Sequence, residues 1–148
     1  MRLIHNHPLD TQKLYDLFGE SEDLLTLNPY AKTPFDPLQW AEWFMSEKSE
    51  SYLFEKDGEI IGHTALRFYG STQKVYLCFV YLKPEYRHKG LIYQMIQESH
   101  EIAQKLFKQP MIYLNVDSEN LKAFNAYRKF GYKEDLWQGK KLSMVYFF

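Results

Sequence analysis

The residues best placed to do chemistry fall in one short run, Lys83-Pro84-Glu85-Tyr86-Arg87-His88-Lys89-Gly90-Leu91, between an apolar strand and the first turn of a long helix. A helix start presents unpaired N–H groups and about half an elementary positive charge, which suits a phosphate or pyrophosphate. Lys83, Arg87, His88 and Lys89 add cationic side chains, and Gly90 lets the backbone approach a ligand closely. The chemistry on offer is anion binding; the bland alternative is a set of solvated charges around a turn glycine.

Other chemically capable residues offer less. Cys78 lies on an apolar strand, where cysteine behaves as an inert small hydrophobe. As the single cysteine it excludes an intramolecular disulfide and a multi-cysteine zinc site, and it suits a reducing compartment such as the cytoplasm. His5-x-His7 would set two imidazoles on one strand face, yet no further ligand cluster accompanies them in the sequence, so no metal site is expected. His100-Glu101-x-x-Gln104 lacks the second histidine of a zinc-peptidase helix. His63 reads as a packed polar residue or a pocket wall. Tyr127 follows Phe124 by three and Leu121 by six, the spacing of a core-facing tyrosine, and Asn120 reads as an early-helix polar residue. Trp40, Trp43 and Phe44 have the spacing of a core helix face, whereas Tyr30 and Phe35 in the preceding loop could line an acceptor pocket.

The elements that must hold these residues follow from pattern. A chain of 148 residues with 45% hydrophobic and 25% charged residues folds by burial and is long enough for a single domain, 1–148. Its net charge of −1 supplies no field for nucleic acid or an anionic membrane. The longest apolar run, Val75 to Leu82, is far below the ~20 residues of a membrane span, and the first residues lack an apolar signal core, so a soluble, unprocessed chain is expected. Leu9, Leu14, Leu17 and Phe18 suggest one helix and Trp40 to Phe44 a second, joined by an irregular aromatic connection over 28–37. Ser51 to Lys56 and Glu59 to Phe68 form a hairpin at Asp57-Gly58, a pair that accepts the positive φ angles of a two-residue turn. A third strand, Lys74 to Leu82, is apolar on both faces, as a central strand is. A helix from near Gly90, a strand Met111 to Val116, a helix capped by Asp117 or Ser118 and stopped at Gly131, and a pair Tyr132 to Leu136 and Leu142 to Phe147 complete a mixed α/β sheet.

Arg87-x-x-Gly90 after Leu82-x-Pro84, then Asn120-x-x-Ala123-x-x-x-Tyr127 and Phe130-Gly131-Tyr132, together resemble the GNAT acetyltransferase family over about the last two thirds of the chain. The resemblance implies an α/β (α+β) fold with a mostly antiparallel central sheet flanked by helices, in the order ααβββαβαββ with a short N-terminal strand. It implies direct transfer of an acetyl group from acetyl-CoA to an amine, a small molecule or a peptide N-terminus, with no nucleic acid or membrane partner. The end of the strand at Val80, Tyr81 and Leu82 would hold the pantetheine arm. The loop of Arg87, His88, Lys89, Gly90, Leu91 and Ile92 would cradle the pyrophosphate, Asn120 would contact the cofactor, and Tyr127 would protonate the departing thiolate.

Two positions depart from the family pattern. Ile92 stands where the family has a small residue, so it is expected to crowd the pyrophosphate. Tyr76 stands where several members carry a glutamate base, so the base lies elsewhere, is water, or is not needed by a neutral amine. The alternative reading is a non-catalytic binding or sensor module that kept the fold and weakened the CoA site. The apolar end 144–148 could complete a homodimer as easily as a core.

Overall fold

Central strands that are apolar on both faces must be covered on both sides. A computed structural model, which describes residues 1–148, shows how this chain does so. Strands β1 (Arg2–His5), β2 (Lys48–Lys56), β3 (Glu59–Tyr69), β4 (Lys74–Leu82), β5 (Met111–Asp117), β6 (Lys133–Gln138) and β7 (Lys141–Phe147) form one sheet in the order β1-β2-β3-β4-β5-β7-β6. All neighbours are antiparallel except β4 and β5. This is the mixed, mostly antiparallel sheet with an N-terminal strand that the sequence leads one to expect. Asp57 and Gly58 turn the β2–β3 hairpin with φ of +50° and +80°.

Two helical layers cover the sheet. On one face lie α1 (Thr11–Leu14), α2 (Leu24–Leu27) and α3 (Pro37–Met45), whose Leu14, Leu24, Trp40 and Phe44 pack with Leu53, Ala65 and Tyr81. Trp40 is fully buried, with ring centroids of Phe18, Phe35, Trp43 and Phe79 at 4.9–5.8 Å. On the other face lie α4 (Leu91–Phe107) and α5 (Leu121–Phe130). Leu91 and Met95 of α4 meet Phe54, Ile61 and Leu82, and a turn or two later Ile96 and Ala103 meet Tyr52, Leu66, Val75 and Leu77. Burying each large apolar side chain contributes about 1.5–3 kcal/mol, so the two layers hold β2–β4 as the centre of the molecule. Gly62 on β3 makes this approach possible, because a Cβ there would lie 2.8 Å from the Tyr81 carbonyl oxygen and 2.9 Å from Met95 Sδ. No helix is long and apolar enough to cross a membrane.

The structure corrects several local expectations. The first helix is short and runs into a π turn at Tyr15–Gly19, and Leu24–Leu27 adds a short helix just ahead of the irregular connection over 28–37. Helix α5 is capped by Asn120, not by Asp117 or Ser118. Asp117 Oδ1 instead accepts from the Glu119 N–H at 2.8 Å, making a turn ahead of the helix, while Asn120 Oδ1 accepts from the Ala123 N–H at 3.3 Å. Strand β2 begins at Lys48, and β6 begins after Tyr132, which is buried beneath α5.

Candidate active site

The opening between β4 and β5 is the centre of the site. These strands bridge only at Tyr76 and Tyr113, while β5 pairs along its length with β7. Because the two strands are parallel, the helices that follow them, α4 and α5, both start at the same end of the sheet, beside this gap. The Lys83 N–H donates to the Ile61 carbonyl at 2.8 Å, and Tyr81 stands opposite His63 two residues earlier. Alternation along an antiparallel ladder then turns the backbone groups of Tyr81 toward β3 and those of Val80 and Leu82 toward the gap. The Leu82 carbonyl there accepts from Arg87 Nε at 2.8 Å.

At the mouth of the gap the chain turns into α4. His88 and Gly90 have φ of +62° and +77°, and no side chain caps the helix. None of the backbone N–H groups from His88 to Tyr93 finds an acceptor within the protein. By contrast, the starts of α1, α3 and α5 are capped by Asp10, Asp36 and Asn120. A row of free amides at the positive end of a long helix is an anion cradle. His88 and Lys89 are exposed beside it. Ile92 does not crowd the cradle as expected, because its side chain packs into the core clusters beneath. Arg87 is also differently employed: its guanidinium bonds Asp23 at 2.8 Å as well as the Leu82 carbonyl, and lies over the Tyr81 ring. It fastens the loop to α2 and β4.

One turn deeper, β4 is irregular. Tyr81 faces His63 but Cys78 faces Ala65, so Phe79 and Val80 together oppose Thr64 in a β-bulge. Phe79 has φ of +48°, a left-handed conformation that costs a residue with a Cβ about 1–2 kcal/mol. The bulge is pinned from both faces. His63, fully buried, donates from Nδ1 to the Phe79 carbonyl at 2.8 Å. Its Nε2 accepts from the Ser51 hydroxyl at 2.8 Å, and Ser51 Oγ accepts from Asn6 Nδ2 at 3.3 Å. Burial pushes the His63 pKa down to about 4, the Phe79 carbonyl opposing slightly, so the ring is neutral and in this tautomer. On the α4 face, Thr64 Oγ1 shares a hydrogen bond with Ser99 Oγ at 2.9 Å.

Tyr127 lies on α5, two turns after Asn120, packed edge-on against Tyr132. Burial pushes its phenol pKa upward, with a smaller contribution from Cys78 on β4, so the hydroxyl holds its proton. Burial likewise pushes the Cys78 thiol up to about 12, which leaves it inert. Tyr76 sits at the β4–β5 bridge with its ring beside Tyr69 and Tyr113, and β4 carries no carboxylate. An open surface groove of about 390 Å³ is lined by Tyr93, Gln94, Gln97 and Glu98 of α4 and by Phe130.

The structure thus sets Val80, Leu82, His88, Lys89, Gly90 and Leu91 at one opening, places Asn120 at the start of α5 on the same end of the sheet, and commits the Arg87 side chain and Tyr81 backbone elsewhere. Sequence reading missed the bulge at Phe79 and its support by His63, Ser51 and Asn6. The one available signal was a histidine and a serine on neighbouring strands, each near apolar residues.

The model of the acetyltransferase (GNAT) family matches residues 11–132. The chain belongs to the GNAT acetyltransferase family. Among solved structures it is similar to the GNAT domain of S. lividans PAT, at 11% identity over 99% of this chain and 90% of that one, with a TM-score of 0.83. It is similar to spermidine N-acetyltransferase from Vibrio cholerae, solved with CoA and spermine, at 16% identity over 99% and 94% of the chains, with a TM-score of 0.75. It is also similar to ribosomal-protein-alanine N-acetyltransferase from Brucella melitensis, at 17% identity over 100% of both chains, with a TM-score of 0.72. No curated protein sequence matches it.

Proposed function

We propose that this protein transfers the acetyl group of acetyl-CoA to a primary amine, a small molecule or a peptide N-terminus. The observation that carries the reading is the uncapped row of N–H groups from His88 to Tyr93 at the mouth of the β4–β5 gap. These amides would bind the pyrophosphate, aided by the exposed Lys89 and His88. Backbone groups of Val80 and Leu82 would take the place of a missing strand along the pantetheine arm. The Asn120 amide nitrogen, with its Oδ1 committed to the helix cap, is free to donate to the same arm. Family membership supports the donor, and one structural neighbour was solved with CoA.

The amine nitrogen attacks the thioester carbonyl carbon, the resulting oxyanion collapses, and the C–S bond breaks with its electron pair left on sulfur. Tyr127, which keeps its proton at neutral pH, then protonates the thiolate and regains a proton from water. The proton lost by the attacking amine goes to water, because β4 bears no carboxylate and His63 has both ring nitrogens occupied. The amine therefore reacts as its neutral form. Neighbours described as spermidine and ribosomal-protein-alanine N-acetyltransferases motivate testing both acceptor types.

CoA should raise the melting temperature, since a ligand at a hundredfold excess over Kd stabilises the native state by about 2.7 kcal/mol. Turnover of acetyl-CoA with spermidine or a peptide amine should then follow. The absence of both a thermal shift and calorimetric heat at millimolar CoA would reject the proposal; binding without transfer to any amine would leave a CoA-binding module.

A further inference from the structure

We propose that His5, His7 and Glu50 form a site for a borderline divalent transition-metal ion, Zn²⁺ foremost, on the β1–β2 edge of the sheet. Strands β1 and β2 pair from Arg2 with Glu55 to His5 with Tyr52. The Asn6 N–H donates to the Ser51 carbonyl at 2.8 Å, so the ladder runs past the end of β1 and sets His7 opposite Glu50. Side chains alternate along paired strands, which puts His5, His7, Glu50 and Tyr52 on one face. The rings agree: His5 stacks on Tyr52 at 4.9 Å and on His7 at 5.2 Å.

The ligand atoms of the three residues all lie within 4.8 Å of one another, and His5 Nε2 and Glu50 Oε2 are hydrogen-bonded at 2.6 Å. Four-coordinate zinc with bonds of about 2.0–2.2 Å spaces its ligand atoms by roughly 3.5 Å. The site closes by a small rotation of exposed His7 and a slight parting of His5 and Glu50. Two imidazoles and one carboxylate are the donor set of zinc, copper, nickel or cobalt, and not of magnesium or calcium, which take oxygen. They leave a position for water. The backbone under the ligands is already fixed by the ladder, so binding orders only side chains. Asn6, between the two histidines, and Ser51, beside Glu50, point to the opposite face and belong to the chain that ends at Phe79. An ion here clamps the strands that carry that chain.

The test is titration of the untagged full-length protein with ZnCl₂ at neutral pH. One equivalent should bind, raise the melting temperature, and be mimicked by Co²⁺ with visible absorption bands, while Mg²⁺ gives no heat. His5→Ala and His7→Ala should each weaken binding at least about tenfold, and Glu50→Gln should weaken it while keeping a hydrogen bond to His5. In the unaltered protein, Co²⁺ should broaden first the amide NMR signals of residues 4–7 and 49–52, a readout that needs no variant to fold. No saturable heat at millimolar Zn²⁺, first broadening elsewhere, or binding that survives in the His5→Ala/His7→Ala double variant would overturn the assignment.

Discussion

Acid should destabilise this protein well before its carboxylates are protonated, because two histidines are locked in the neutral form. His63 has no accessible surface, its Nδ1 donates to Phe79 and its Nε2 accepts from Ser51. His100 is 3% exposed, ringed by Phe130, Tyr132, Tyr146 and Phe148, with Nε2 on the Tyr132 hydroxyl. Burial lowers both pKa values from 6.5 to about 4. Between those limits the unfolded chain binds two protons that the native protein refuses, so stability rises with pH and falls on acidification. Each refused proton costs about 1.4 kcal/mol per pH unit, hence roughly 3 kcal/mol per histidine across the window. Against a total of about 5–15 kcal/mol, both together are enough to unfold many domains.

Urea unfolding followed by tryptophan fluorescence at a series of pH values from about 7.5 to 5 measures the slope, which should approach 2.7 kcal/mol per unit below pH ~6. His100→Phe should halve it. That variant also strands the Tyr132 hydroxyl, a constant offset of about 1–3 kcal/mol, but the offset does not alter the slope. A flat profile down to pH ~5, or an undiminished slope in His100→Phe, would refute the claim that these rings are neutral through burial.

Four further substitutions bear on the site. Gly62→Ala should cost about 1–3 kcal/mol in urea unfolding, because the added Cβ meets the Tyr81 carbonyl oxygen and Met95 Sδ at 2.8 and 2.9 Å. Gly90→Val should weaken CoA binding by calorimetry more than it lowers stability, since φ of +77° suits no β-branched residue and the adjoining amides would be re-aimed. Ile92→Gly should lower the melting temperature by loss of core packing and leave CoA affinity no tighter, the opposite of a residue that blocks the cradle. Tyr127→Phe should preserve CoA affinity and slow single-turnover acetyl transfer by about 10²-fold, the low end for loss of a general acid because a thiolate leaves readily; an unchanged rate would return Tyr127 to a purely packing role.

The parts of the fold set by local chemistry were legible in the sequence. Asp57-Gly58 announced its hairpin because few other pairs accept two positive φ angles, and the spacing of Leu91 through Phe107 announced α4. The uncapped start of α4 was legible for the same reason, as a glycine ahead of a helix. What escaped was set by tertiary contact. In the run Val75 to Leu82 every second residue could face either layer, so the sequence pattern could not reveal that Val75 and Leu77 face α4 before the bulge and Val80 and Leu82 after it. That change of parity needs one inserted residue, and no glycine marks it. Glu50 gave no sign of meeting His7, because their pairing depends on a register set dozens of residues apart.

The position of the inserted residue is itself an argument for what it does. A polar group in a core costs free energy unless paired, and apolar residues of like size would serve stability better. The buried polar residues here are Asn6, Ser51, His63, Thr64, Ser99 and His100, and all but His100 lie on two hydrogen-bond chains that end at the bulge. They converge where β4 departs from regular pairing, and where its free edge faces the gap beside β5. Without them, Phe79 could relax from its left-handed conformation and β4 could slip by one residue, turning Val80 and Leu82 away from α4. The polar chains therefore specify an irregular backbone that a smooth sheet would not supply. They fix the Val80 and Leu82 peptide groups on the β4 edge that faces the gap, the edge that the proposed function assigns to an extended ligand.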